Sequence, residues 1–407
     1  MVDIARLYSD RAGKMRKSVI RELLRVTQDP EIISFAGGLP NPNSFPIEDL
    51  KGVIQNVMDH HGKTALQYGT TQGLNELREA IAERMIKEGV DTTPDDVIIT
   101  SGSQQALDTV GKVFLNPGDT AIVGLPTYLG GINAFRSYES NLTGIPLDED
   151  GMITDVLDET IKKLIKKDIT PKFVYVVPTF QNPAGVIMSE KRRKKLIDIA
   201  NEYDIVIVED DPYGKLRYGI DHIKPIKAYD DTGHVIYMST FSKILSPGFR
   251  LAWTVSTGEL TRKMIICKQA LDLCTNTFTQ FIAMEFMRRG SLDLHIMKIC
   301  EMYKPKRDIM MKSMKEYFPE GYTCYKPEGG MFAWVTLPEG IDTETMFLDA
   351  IKEKVAYVHG KAFHVDGGGE RSMRLNFSYS SDEQIKIGMK RLGNVIRQKL
   401  EKREVVL

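Results

Sequence analysis

The sequence is poor in the features that usually give a function away. It holds four cysteines in 407 residues, Cys267, Cys274, Cys300 and Cys324, with no Cys-x-x-Cys pair and no Cys/His zinc spacing. That excludes a disulfide framework and suits free thiols in a reducing cytoplasm. Its seven histidines form no His-Glu-x-x-His, so no metal site is expected. No apolar run approaches the roughly 18 residues of a membrane helix, so no membrane partner is expected. An excess of one charge is also missing, because 54 Lys and Arg face 55 Asp and Glu, for a net charge of −1. A near-neutral chain lacks the basic footprint of a nucleic-acid binder. With 42% hydrophobic residues it also lacks the composition of a disordered chain. Met1 to Pro30 mixes charged with apolar residues and does not read as a signal peptide. There is no internal repeat and no low-complexity linker.

What recurs instead is a short apolar run, a turn, then an amphipathic helical pattern. The runs Val97–Thr100, Thr120–Val123, Phe173–Val177, Ile205–Val208, Val235–Met238 and Ala252–Val255 are short and rich in β-branched residues, as buried strands are. Between them, Gln104–Phe114, Glu190–Glu202 and Gly258–Gln269 read as helices. Such alternation predicts an α/β fold with a mostly parallel sheet and helices on both faces. Ligands then bind outside the carboxyl ends of the strands. The last hundred residues read as α+β, with strands at Gly330–Thr336 and Met373–Phe377 and helices at Thr343–Glu353 and Asp382–Lys402. Near the start, Lys14–Thr27 reads as one helix, followed by the Gly/Pro-rich stretch Ser34–Phe45.

The chemistry-bearing residues follow the apolar runs. Ser239-Thr240-Phe241-Ser242-Lys243 continues through Pro247-Gly248 to Arg250. A lysine amine attacks an aldehyde only when uncharged, and burial with a neighbouring cation arranges that, so Lys243 suits a Schiff-base site. Thr240, Ser242 and Arg250 would cradle a phosphate. Next, Glu209-Asp210-Asp211-Pro212-Tyr213 places carboxylates at a strand end, where one can keep a pyridine nitrogen protonated. Asn182, in an Asn-Pro-x-Gly turn, and Tyr213 can reach a phenolic oxygen of the same ring. Gly102-Ser103-Gln104 opens a helix after a strand, and free N–H groups there make a phosphate site. Tyr128 also follows a strand and can stack on a ring. Arg374 alternates with apolar residues, as an inward arginine awaiting a carboxylate does. Tyr68 lies in a glycine-containing turn before a helix.

Taken in order, these stretches resemble the class I/II aminotransferases, pyridoxal-phosphate enzymes of the aspartate aminotransferase fold, and within them the kynurenine/2-aminoadipate aminotransferase-like subgroup. The resemblance runs from about Ile33 to Phe377. Its sharpest markers are the stretch from Ser239 to Arg250, with Thr240 where many relatives carry Ser, and Ser34-Phe35-Ala36-Gly37-Gly38-Leu39-Pro40-Asn41. It implies a type I fold with a mostly parallel seven-stranded sheet in a large domain and a small α+β domain. The corresponding division is 1–45 as arm and lid of the small domain, 46–300 as the cofactor domain and 301–407 as the small domain. It implies Lys243 as the covalent and proton-shuttling lysine, and Asp210 rather than Asp211 at the ring nitrogen. Asn182 and Tyr213 fall at the phenolic oxygen, and Tyr128 on the ring. Ser103, Gln104, Thr240, Ser242 and Arg250 fall at the phosphate, and Arg374 with the Gly38 backbone at the substrate α-carboxylate. Tyr68 matches a residue that reaches the neighbouring subunit's cofactor, which requires a homodimer. The implied reaction is ping-pong transfer from an L-amino acid, of aromatic, 2-aminoadipate or branched type, to a 2-oxo acid such as 2-oxoglutarate. β-Lyases, cyclopropane-forming synthases and decarboxylases share the fold and the lysine, and the Gly-Gly-Leu-Pro stretch favours transamination over them. Ligand-sensing regulators carry the same domain behind a DNA-binding module, for which the roughly 30 residues before Ile33 are too few. The N-terminal helix, with Ile20 or Arg21, is a candidate to touch substrate or else simply packs on the small domain, and Phe332, Tyr357 and Phe363 are candidate pocket aromatics for which core packing is the favoured reading.

Overall fold

The β-branched runs assemble into one mixed sheet. The computed structural model describes residues 4–15 and 29–404. In space its strands run Val97–Thr100, Ala252–Val255, Val235–Thr240, Val206–Asp210, Phe173–Val176, Thr120–Leu125 and Asn141–Asp148, with the two-residue hairpin strand Gly151–Met152 as an eighth at the edge. The sheet is thus the expected seven strands plus that short extension. From Val235–Thr240 to Asn141–Asp148 all neighbours are parallel. Ala252–Val255 is antiparallel to both of its neighbours. Its leading end therefore lies at the same edge as the carboxyl ends of the other strands.

Alternation along the strands builds two cores. Phe173, Tyr175, Val208 and Met238 pack on one face. Val174, Val176, Ile207 and Val235 pack on the other, against Leu196, Ile197 and Ala200 of the helix Glu190–Tyr203. Three strands run further than the apolar runs suggest, to Leu125, Asp210 and Thr240, so Asp210 and Thr240 are strand-terminal residues. Asn141–Asp148 was not among the expected strands. It lies next to the edge, covered there only by Gly151–Met152, has one buried residue, Ile145, and so shows no apolar run.

A second, antiparallel sheet orders Thr323–Cys324, Phe332–Thr336, Ser372–Asn376 and Val358–His359. The helices Ser291–Tyr317, Thr343–Lys352 and Asp382–Glu404 accompany it. The first of these passes through residue 300 without a break. The arm after residue 29 is tied to this region. Ile33–Ser34 pairs in parallel with Val355–Ala356, and the Asn376 N–H donates to the Phe35 carbonyl at 2.9 Å. The helix expected at Lys14–Thr27, with Ile20 and Arg21, lies outside the described residues beyond Met15. Among the described residues no helix is long and apolar enough to cross a membrane.

Candidate active site

Three successive acids close the strand Val206–Asp210, and strand alternation sends their side chains to different places. Glu209 faces the helix Glu190–Tyr203. It accepts the N–H groups of Ile226 and Lys227 at 2.7 and 2.8 Å and lies 3.9 Å from the Arg193 guanidinium. Asp211 shapes the next turn, because its oxygens accept from the Gly214 N–H and the Tyr237 hydroxyl. Asp210 is buried and differs from both. Oδ2 accepts the Tyr175 hydroxyl at 2.8 Å, while Oδ1 has no partner among the described residues. Burial pushes its carboxyl up to about 7, against the pull of the Tyr175 bond.

Lys243 sits one turn beyond the neighbouring strand. Its Nζ donates to the Gly38 carbonyl at 2.8 Å, so the N-terminal arm lies directly over the lysine. Burial first, then the guanidinium charges of Arg374 and Arg250, lower its amine to about 8. Arg250 approaches from the start of the antiparallel strand. Its backbone is left-handed, with φ 52°, and its guanidinium passes Gly102 so closely that a Cβ there would lie 2.2 Å away. It donates to Ser242 Oγ and to the Ser101 carbonyl, each at 3.4 Å. Thr240 Oγ1 donates to Ser242 Oγ at 3.0 Å. Opposite them the helix Ser103–Phe114 begins with no side-chain cap, leaving its first N–H groups open. Ser103 Oγ is buried without a partner, and Gln104 Nε2 donates to the Gly130 carbonyl at 3.3 Å.

Arg374 is fully buried in the small sheet, where burial lowers its guanidinium to about 10. One nitrogen donates to the Ala36 carbonyl at 2.8 Å and another to Asn182 Oδ1 at 2.9 Å. Asn182 Nδ2 in turn donates to the Tyr213 hydroxyl at 3.1 Å. The guanidinium carbon lies 4.2 Å from the Phe332 ring centre and 5.0 Å from that of Phe363, a cation–π seat that fixes its plane. Gly38 contributes its carbonyl to Lys243, and it is Ala36 that meets Arg374. Tyr357 takes no part, since its hydroxyl donates to the Thr343 carbonyl inside the small-domain core. Tyr128 is half-buried, and its phenol feels the charges of Asp210, Arg374 and Arg250. Tyr68 stands apart, 79% exposed, and among the described residues its side chain has no hydrogen-bond partner.

Sequence reasoning missed two groups here. Tyr175 sits inside an apolar run, yet a buried phenol needs a partner, and that requirement was the available signal. Arg193 belongs to a basic stretch that reads as solvent-facing, but it falls on the helix stripe of Leu196, Ile197 and Ala200 and is fully buried. It donates to the Pro178 carbonyl and Thr179 Oγ1, at the base of the loop carrying Asn182.

A buried lysine with a lowered amine, an acid with one bare oxygen and an open helix end beside a guanidinium lie at one edge of the large sheet, and the small sheet brings the buried Arg374 to the same place through Asn182. The family model for class I and II aminotransferases matches residues 39–392. The chain is 50% identical over 402 residues to the aromatic-amino-acid aminotransferase 1 of Thermococcus litoralis, covering 98% of this chain and 96% of that one. The multiple substrate aminotransferase of Thermococcus profundus superposes with a TM-score of 0.95 at 50% identity, over 98% of this chain and 100% of that one. The kynurenine aminotransferase of Pyrococcus horikoshii, in complex with PMP, superposes with a TM-score of 0.95 at 49% identity over 98% of each chain. The chain belongs to the class I and II aminotransferases, enzymes that transfer amino groups. The cofactor of this family is pyridoxal 5′-phosphate, and the residues present fit it. Asp210 Oδ1 lacks a donor, as a ring N–H would supply, and Ser103 Oγ beside the open helix end lacks an acceptor, as a phosphate would supply.

Proposed function

We propose that the protein transfers the amino group of L-amino acids with aromatic, 2-aminoadipate or branched side chains to a 2-oxo acid, 2-oxoglutarate foremost, in two half-reactions at one site. The observation that carries this reading is the chain of hydrogen bonds Arg374–Asn182–Tyr213, which links a carboxylate clamp to the place where a cofactor phenolic oxygen would lie. The substrate classes rest on the relatives at 49–50% identity that are named for aromatic amino acids, multiple substrates and kynurenine.

When bound, pyridoxal phosphate supplies an aldehyde for the amino group and a ring that accepts the charge left when the Cα proton departs. Asp210 would keep a proton at the ring nitrogen. Asn182 and Tyr213 would donate to the phenolic oxygen, and Tyr128 would stack on the ring. Ser103, Gln104, Thr240, Ser242, Arg250 and the open helix end hold the phosphate. Arg374 fixes the substrate α-carboxylate, which orients the Cα proton toward Lys243. The Lys243 amine, lowered to about 8, is partly uncharged near neutral pH; it would take that proton and return it to the former aldehyde carbon, on the other side of the shared nitrogen.

The active form is a homodimer, with Tyr68 completing the partner's phosphate site. The exposure of Tyr68 and Leu66, and the exposed stripe Ile47, Ile54 and Met58 on the helix Ile47–Ala65, support this. The enzyme works in the cytoplasm, as the free cysteines suggest. On this reading 46–300 forms the large cofactor part and 301–407, with the arm 1–45, the small one, and the helix Ser291–Tyr317 runs across the boundary between them.

A panel of amino donors against 2-oxoglutarate, read by glutamate formed, tests the reading. Aromatic and 2-aminoadipate donors are expected to lead. Release of ammonia without glutamate would replace transamination by elimination. Borohydride should fix the cofactor to the wild-type chain and not to Lys243→Ala.

A further inference from the structure

Tyr175 is a buried polar group with no place in the reaction as described so far. It lies in the interior strand Phe173–Val176 and pairs with Val208 in parallel register. Strand alternation puts Val208 and Asp210 on one sheet face, and Tyr175 leans along that face to the strand end. Its ring is fully buried, edge-on to Phe135 with centroids 5.4 Å apart. A Cβ on Gly131 would come within 3.0 Å of it, so the glycine leaves the ring its room. The hydroxyl donates to Asp210 Oδ2 at 2.8 Å, and Oδ1 is the oxygen left without a partner.

We propose that Tyr175 is a positioning residue for the ring-nitrogen chemistry: by holding Oδ2 it aims Oδ1 alone at the cofactor and favours the charged form of the Asp210 carboxylate. The proposal rests on the role of Asp210 given above. A donor to a carboxylate stabilises the anion, and here it opposes the upward push of burial on Asp210. An anionic Asp210 keeps the proton on the ring nitrogen. Without the donor, that proton moves toward the carboxylate, and the ring loses positive charge. A less positive ring raises the pH at which the visible band of the bound cofactor changes. The rigid seat against Phe135 makes Tyr175 a fixed donor, unlike a solvent molecule that could turn away.

Tyr175→Phe removes the hydroxyl and keeps the ring packing. The holoenzyme is titrated by visible absorption across the neutral and alkaline range. The band midpoint is expected to rise by roughly half to one pH unit in the variant. The cofactor dissociation constant is expected to rise roughly threefold to tenfold. Both shifts should vanish when the change is made on top of Asp210→Asn. An unmoved midpoint, or an equal shift in the Asp210→Asn background, overturns the proposal and leaves Tyr175 a packing residue. If Asp210→Asn itself leaves the spectrum and cofactor affinity of the wild type unchanged, the Asp210 reading falls, and this proposal with it.

Discussion

Glu209 and Asp210 are chain neighbours at one strand end, and burial raises both carboxyls to about 7. They look out on opposite sides of the sheet. Glu209 meets Arg193 and two backbone N–H groups, and both of its oxygens are filled. Asp210 meets one phenol and keeps one oxygen bare. Depth and proton affinity are therefore alike for a carboxylate that ties a loop to a helix and for one that keeps an oxygen open. What separates them is the unfilled acceptor, because a fold that leaves a buried lone pair open has reserved it for something else.

The sharpest way to break this contrast is substitution on each side. Asp210→Asn should lower kcat/KM roughly a thousandfold while the thermal midpoint stays near that of the wild type. Arg374→Ala should cost roughly a hundredfold for every α-amino acid alike, with cofactor affinity intact, and donor-by-donor kinetics checks this. Selective loss of one donor would make Arg374 a side-chain reader instead. Glu209→Gln should behave in the opposite way to Asp210→Asn. An amide turns its NH2 toward a backbone N–H and leaves Arg193 without its counter-charge, so denaturant unfolding should show a loss of about 2–3 kcal/mol. Activity per folded molecule should stay within about threefold. Equal activity losses in the two variants would erase the distinction.

The smallest effect concerns pH. Both carboxyls bind protons more tightly in the folded chain than in the unfolded one. Their stabilisation is complete below the ordinary carboxylate range and is lost as pH rises through about 7. Unfolding midpoints of the cofactor-free protein should therefore decline over that window, and either single amide variant should flatten part of the decline. Lys243 has the opposite sign. Its lowered pKa penalises the charged form, and that penalty eases as pH rises from about 8 toward its ordinary value.

The sequence carried the acids and the lysine because each follows an apolar run, and a parallel sheet has one edge at which such endings gather; Arg250 precedes the antiparallel run at that same edge, and Arg374 showed itself by alternating with apolar residues in a strand of the small sheet. It also carried the general order of strand and helix. It could not separate Glu209, Asp210 and Asp211 by chemistry, since their partners Arg193, Tyr175 and Tyr237 are 16 or more residues away in the chain. Arg193 was hidden by neighbouring charges, and Asn141–Asp148 by its exposure at the sheet edge. The contact of the Gly38 carbonyl with Lys243 depends on how the arm crosses the site, which no local pattern records.

One element of the sheet has a mechanical consequence. Val235–Thr240 and Ala252–Val255 form a hairpin, closed at its open end by the Phe241 N–H donating to the Leu251 carbonyl at 3.0 Å. Lys243 and Arg250 both lie in the loop beyond that closure, so main-chain hydrogen bonds tie the backbone under one to the backbone under the other. On the reading proposed above, the loop would act as a calliper, with one jaw for an aldehyde carbon and one for a phosphate. A cofactor analogue whose phosphate arm is one carbon longer would then be expected to bind more weakly than the cofactor itself.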